Sequence, residues 1–384
     1  MLGRHAKVDD VRHRVAVGTF VFLISAGVNS SAARTWHIFA DGSGDTPTIQ
    51  AAIDSSMSGD SILVAAGTYF ENLNTLGKSL FLSGQSGPEV TVIDGEQAAR
   101  VLFLTGGGVV EGFTIRNGRA ITFGGGIRVQ GSAPVTIRNN IIEDNVVGEF
   151  KSGYGGGVFL DQATRGAVVE DNIIRRNSAG DQGGGVFDDA GLSAPPNNVI
   201  RRNTVERNIA GISGGGLKLR YGIATENLVV NNWATYFGGG ILTTGRAVVR
   251  NNTVVSNLTA NNFINGAGIH ACGGATIDAN IVAYSGTDGP ANAGAGIQCC
   301  DAIVTCNDLW GNDLDFSCTN NPPAASNFAA DPLFCNLEEN DYHLERSSPC
   351  GPEGTCGLVG AYGVACGKVR VETVRWGDVK SLYR

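Results

Sequence analysis

The chain has 384 residues, 42% of them hydrophobic, with 56 glycines and only 17% charged residues. That balance suits many short strands and tight turns and excludes a helical bundle or a disordered chain, while the lack of a Gly-X-Y period excludes collagen. The net charge of −8 and pI near 5.2 argue against a nucleic-acid partner, which would call for a basic stripe, and leave cations or neutral polymers as ligands.

In chain order, the first feature is a basic stretch with Arg4, His5, Lys7, Arg12, His13 and Arg14, then an apolar run from Val15 to Val28, then Ser31-Ala32-Ala33. This is the pattern of a secretory signal cut after Ala33, although Asp9 and Asp10 are unusual in its basic part. The apolar run is shorter than the roughly 20 residues that cross a bilayer, so export is expected and a membrane span in the mature chain is not. The protein is expected outside the cell, at its surface or in the periplasm. Next, TIQAAIDSS from Thr48 to Ser56 places Ile49, Ala52 and Ile53 on one face of a short helix, which suits an N-terminal cap.

A repeat then dominates the chain. A glycine-rich start followed by an apolar residue recurs at Gly124, Gly155, Gly183, Gly214, Gly238, Gly266 and Gly294, in steps of 31, 28, 31, 24, 28 and 28 residues. Each period also holds two polar residues five positions apart: Asn140 and Asn145, Asn172 and Asn177, Asn203 and Asn208, Asn227 and Asn232, Asn252 and Asn257, Asn280 and Ser285, Asn307 and Asn312. Between them lie short β-branched runs such as Val135 to Ile137, with no helical periodicity. Strands this short cannot stand alone, but stacked about 4.8 Å apart they bury one column of side chains and pair each backbone with its neighbours. The expected fold is all-β, a right-handed parallel β-helix with a short N-terminal capping helix. The asparagines are expected to be structural, each amide bonding to the one stacked above it, in turns that visit the left-handed region.

All nine cysteines, from Cys272 to Cys366, lie in the last third of the chain. In an exported protein they are expected in disulfides, with one thiol left over, and no Cys-x-x-Cys spacing supports zinc. The segment 318–367 breaks the period and should form a disulfide-rich C-terminal cap, so the domain order is signal 1–33, β-helix 34–317, cap 318–367 and tail 368–384. Trp376, Val379, Leu382 and Tyr383 give the tail a weak amphipathic pattern, suited to a short docking helix.

On these residues the chain resembles the pectin-lyase-like superfamily, in particular its secreted bacterial β-helix members. The similarity lies in DGSGDTPTIQAAIDSSMSGDSILVAAGTYFENL from Asp41 to Leu73, GGVVEGFTIRNG from Gly107 to Gly118, ADPLFC from Ala330 to Cys335 and YHLERSSPC from Tyr342 to Cys350. These motifs speak for fold and say little about activity. Of the polygalacturonase-like signatures only Asp188-Asp189 has a counterpart, and the Gln-Asp-Thr and Asp-Phe-Ile-Phe-Gly motifs of pectin methylesterases are missing.

Counting from each glycine start aligns two columns. Four positions on stand Arg128, Phe159, Phe187, Lys218, Leu242, His270 and Gln298, and six positions on stand Gln130, Asp161, Asp189, Arg220, Thr244, Cys272 and Cys300. Strand alternation puts both on the outward face. Phe159, Phe187 and Arg128 suit sugar binding, and Asp161 and Asp189, one coil apart, could share a Ca²⁺, the only cofactor considered. Asp161, Asp188, Asp189, Lys218 and Arg220 are the catalytic candidates if the face carries chemistry, although a cationic base needs a depressed pKa that the carboxylates oppose. Solvated ion pairs explain the same residues. Asp188 is anomalous, because its slot is otherwise filled by Val129, Leu160, Leu219, Thr243, Ala271 and Cys299; a bulge before the following turn would explain it, as would a site. Insertions at Gly148 to Tyr154 and Ser193 to Asn198 lengthen turns near the patch. His270 and His343 have no Ser or Cys at a recognised spacing. The expected function is polysaccharide binding by a monomer through its lateral face, with no catalysis demonstrated by the sequence; a pectate-lyase-like lyase or a hydrolase on acidic polysaccharide and a structural adhesin are the alternatives.

Overall fold

The glycine starts and asparagine pairs translate directly into a solenoid. The computed structural model describes residues 32–191, 198–260, 266–288, 294–319 and 323–366. The expected signal and the amphipathic tail lie outside the described residues, as does most of the second insertion. From Arg119 onward a coil runs through four short strands, for example Val135–Arg138, Ile141–Glu143, Val146–Val147 and Val158–Leu160. Stacked, they make parallel sheets of 11, 10, 7 and 10 strands, called here the first to fourth in the order the chain visits them. Ile127, Val158, Val186, Leu217, Ile241, Ile269 and Ile297 form one inward column and are completely buried. Each such side chain contributes about 1.5–3 kcal/mol by leaving water.

The corners explain the repeat. The residue before each ladder asparagine takes the left-handed conformation, as in Arg202 (φ 52°) and Arg207 (φ 53°), so the strained position precedes the asparagine rather than coinciding with it. The asparagine clamps that turn: Asn203 Nδ2 donates to Arg201 O at 3.0 Å and to Asn227 Oδ1 in the next coil at 3.0 Å. Two unbroken ladders result, one from Asn140 to Asn307 and on to Asn327, the other from Asn145 through Ser285 to Asn312. At the glycine starts, Gly214 has φ 67°. A Cβ on Gly215 would lie 2.4 Å from the carbonyl oxygens of Gly239 and Trp233, which is why the triplet cannot carry side chains there.

The N-terminal helix spans Ile49–Ser55, with Thr48 as its cap and Ile49, Ala52 and Ile53 buried, as expected. At the other end, eight cysteines form Cys272–Cys300, Cys299–Cys318, Cys306–Cys356 and Cys335–Cys366, and Cys350 is a buried free thiol. The cysteine-rich segment does more than close the last coil. Phe328 adds a bridge to Asp308, and the chain then lies along the outer face of the second sheet, where Tyr342, Leu344 and Val359 cover Leu228, Val230, Val255 and Ile281. Among the described residues no helix is long and apolar enough to cross a membrane.

Outside the core, neighbouring coils are linked by arginine–carboxylate pairs. Arg202 meets Glu170 and Asp171, both at 2.8 Å, and Arg176 meets Glu143 and Asp144 one coil earlier. These pairs are in contact with solvent, so they are weakly stabilising. Arg202→Ala should therefore lower unfolding stability by less than about 1 kcal/mol in urea denaturation; a larger loss would mean that the ladder holds the coils together.

Candidate functional site

The fourth sheet carries the residues singled out in the sequence, and its strand pairing reproduces their alignment. Arg128 stands beside Phe159, then follow Phe187, Lys218, Leu242, His270 and Gln298, each in register with the next. Phe103 precedes and Ser317 follows. The column points out of the coil, as strand alternation requires, but it is not open to water. Phe159 is 1% exposed, Phe187 7% and Lys218 2%.

The cover comes from the residue just before each glycine triplet. Phe123, Tyr154, Gln182, Ser213 and Phe237 form a bridged ladder of their own at the corner between the third and fourth sheets. Phe123 packs on Phe159 at 4.7 Å, Tyr154 on Phe187 at 5.7 Å and Phe237 on His270 at 4.8 Å. Phe159 and Phe187 meet edge to face at 5.4 Å. Rows of aromatic contacts at these spacings are each favourable by about 1 kcal/mol beyond their burial. This second ladder was missed in the sequence, although counting one position back from each triplet finds it. The first insertion reaches the same corner, where Phe150 is exposed and its ring edge lies over Gly211.

The charged candidates divide into three groups. Asp161 and Asp189 lie on the outward face, each held by an arginine of an adjacent coil: Arg128 to Asp161 at 2.7 Å and Arg220 to Asp189 at 2.8 Å. Arg128 also sits over the rings of Phe103 and Phe123. Two carboxylates already engaged by guanidinium groups do not fit a Ca²⁺ ion, which needs six or more oxygens.

Asp188 is elsewhere. It continues the inward column in register with Leu160 and Leu219, without a bulge, and is wholly buried inside the coil. Its Oδ1 accepts from Asn198 Nδ2 at 2.8 Å and from Ala190 N at 3.2 Å, whereas Oδ2 abuts Gly222, whose backbone gives it weaker support than a full hydrogen bond. Desolvation raises its pKa to about 6. Such a group cannot meet a ligand on the lateral face, so Asp188 belongs to the fold.

Lys218 is the group whose chemistry changes most. Its ammonium donates to Thr244 Oγ1 and lies 5.7 Å from the Phe187 ring centre. Burial, helped by the Arg220 charge, lowers its pKa to about 7 even though Asp189 and Asp188 pull the other way. The opposition expected from the carboxylates is present, in Asp189 and Asp188, but desolvation outweighs it, and Asp189 is itself paired with Arg220. Beyond Leu242, His270 sits beside Cys272, with Nε2 3.3 Å from Sγ, a proximity not anticipated from their spacing.

The sequence profile of a family described as "right handed beta helix region" matches residues 37–254. The chain belongs to that family. No curated protein matches it. Among solved structures, pectate lyase Pel9A is 14% identical with a TM-score of 0.43, covering 87% of this chain and 97% of that one. Pectin methylesterase from carrot is 11% identical with a TM-score of 0.34 over 79% and 90% of the two chains. The PL6 family alginate lyase AlyGC is 14% identical with a TM-score of 0.29, over 82% of this β-helix and 55% of its own length. Likenesses at this level concern the fold.

Proposed function

We propose that this β-helix protein acts outside the cell and binds an extended polysaccharide along the corner between its third and fourth sheets. The observation that carries the reading is the ladder Phe123, Tyr154, Gln182, Ser213 and Phe237, one residue per coil, flanked by Phe150. Aromatic faces stack on sugar rings, and the Gln182 amide between them offers hydrogen bonds to sugar hydroxyls. A polymer running along the solenoid axis would pass one ladder residue per coil, about 4.8 Å apart, with aromatic rings at three of the five. The four disulfides suit an oxidising compartment.

A second reading rests on Lys218. An amine with a pKa near 7 is largely unprotonated at mildly alkaline pH and could take the proton beside a uronate carboxylate, as a lyase does. Its burial means that neighbouring side chains would have to part for substrate to reach it, so binding stands first.

Affinity electrophoresis in acidic and neutral polysaccharides, with and without Ca²⁺, tests both readings. At least one polymer is expected to retard the protein, and Tyr154→Ala with Phe150→Ala should abolish most of that retardation. If no polymer in the panel retards the parent protein, the binding proposal is wrong. Unsaturated product ends that form with the parent and vanish in Lys218→Met would establish the lyase reading instead.

A further inference from the structure

At the far end of the fourth sheet, His270, Cys272 and Cys300 form a cluster whose ligand atoms all lie within 4.8 Å of one another, each residue half-buried. The two sulfurs are joined as a disulfide between adjacent coils. That bond adds little to the local architecture. The same two coils are already paired in register from Ile269 with Ile297 to Ala271 with Cys299, and Cys299–Cys318 ties the next rung.

The imidazole is held in one orientation. Gln298 Oε1 accepts from Gly266 N at 3.2 Å, which identifies it as the oxygen, and the same atom lies 2.6 Å from His270 Nδ1. Nδ1 therefore carries the ring proton, and the lone pair of Nε2 faces Cys272 Sγ at 3.3 Å. Phe237 packs against the ring and limits its rotation. A histidine fixed through one nitrogen by a side-chain carbonyl, with the other nitrogen aimed at sulfur, is the arrangement that metal-binding histidines adopt.

We propose that Cys272, Cys300 and His270 form a redox-gated site for a thiophilic d¹⁰ ion such as Zn²⁺, closed as a disulfide and opened by reduction. In the opening step a dithiol supplies two electrons and two protons to the S–S bond and closes to its own disulfide. Each of the two thiols then loses its proton as a sulfur–metal bond forms, and Nε2 donates its lone pair as the third ligand. Two thiolates cancel the charge of Zn²⁺, which suits a half-buried place, and three protein ligands leave one position for water or a ligand atom.

The test uses the full chain, reduced without oxygen by a dithiol that is then removed, and titrated with Co²⁺ followed by Zn²⁺. One equivalent of Co²⁺ with thiolate charge-transfer absorption, displaced by Zn²⁺, is expected after reduction and none before. Cys272→Ser/Cys300→Ser should lose the absorption, His270→Gln should bind about tenfold more weakly or worse, and Cys306→Ser/Cys356→Ser should bind like the parent. Since full reduction could loosen the fold, alkylation of individual cysteines is followed by mass spectrometry in partly reduced protein. Zinc should protect Cys272 and Cys300 together. Unchanged binding in the double variant, or equal alkylation of these two cysteines with and without zinc, overturns the proposal.

Discussion

Asn208→Ala is expected to lower unfolding stability by about 2–6 kcal/mol, although it removes no charge and little apolar surface. Asn208 is wholly buried. Its Nδ2 donates to Ile174 O at 2.9 Å and to Asn232 Oδ1 at 3.0 Å, and its Oδ1 accepts from the backbone and side-chain nitrogens of Asn177, both at 3.0 Å. Alanine would take this partner from Ile174 O and Asn177 N, whereas Asn232 Oδ1 keeps the backbone nitrogen of residue 208 and Asn177 Nδ2 keeps Ile142 O. Each unsatisfied group costs about 1–3 kcal/mol, and no water can replace the amide in a packed coil. The molecule contains its own control: Ser285 occupies an equivalent place, accepting from Asn257 N and donating to Ala283 O. Asn208→Ser should accordingly lose about half as much. Urea denaturation with an unchanged slope measures both, and equal midpoints for the alanine and serine variants would show that the ladder's hydrogen bonds do not govern stability.

Those asparagines also show what could be read from the sequence. The glycine triplets and the asparagine pairs set the period of each coil, and counting from them aligned Arg128, Phe159, Phe187, Lys218, Leu242, His270 and Gln298 as the strands pair them. Register is legible because a repeat of rigid corners permits only one stacking. Burial of an outward column is not, since it depends on what reaches across the turn, here Phe123, Tyr154 and Phe237. The ion pairs of Asp161 and Asp189 are legible, because the aligned columns hold a cation only in the coil before Asp161 and only in the coil after Asp189, so the first looks back to Arg128 and the second forward to Arg220. The cysteine-rich segment left no periodic trace of its path, so its course along the second sheet follows from tertiary packing of Tyr342, Leu344 and Val359 alone.

Three buried ionisable groups should give the protein a stability minimum near neutral pH, where most proteins are near their most stable. Asp188 and Asp308 both have pKa values raised from 3.8 to about 6, chiefly by burial. A carboxyl with a raised folded pKa holds its proton in the folded chain after the unfolded chain has released it, so its contribution is complete below pH 3.8 and is lost as pH rises through 6. At about 1.4 kcal/mol per pKa unit, the two together weaken the fold by several kcal/mol across that window. His270, its pKa lowered mainly by burial, acts oppositely just below its ordinary 6.5, one group against two. Lys218 supplies the other limb. Its folded pKa of about 7 lies below the ordinary 10.5, so the unfolded chain binds the extra proton between those values and stability rises with pH above 7. The rise should reach about 3 kcal/mol by pH 9, where the buried Cys350 thiol, whose pKa is raised above 9.0, begins to oppose it. Melting temperatures measured from pH 4 to 9 should therefore fall, pass through a minimum between about 6 and 7 and climb again. Lys218→Met should flatten the alkaline limb and Asp308→Asn part of the acid limb, each leaving the other intact. A maximum at neutral pH in the parent protein would mean that Lys218 keeps its charge in the folded chain, and the amine on the lateral face would then have no base to offer a substrate.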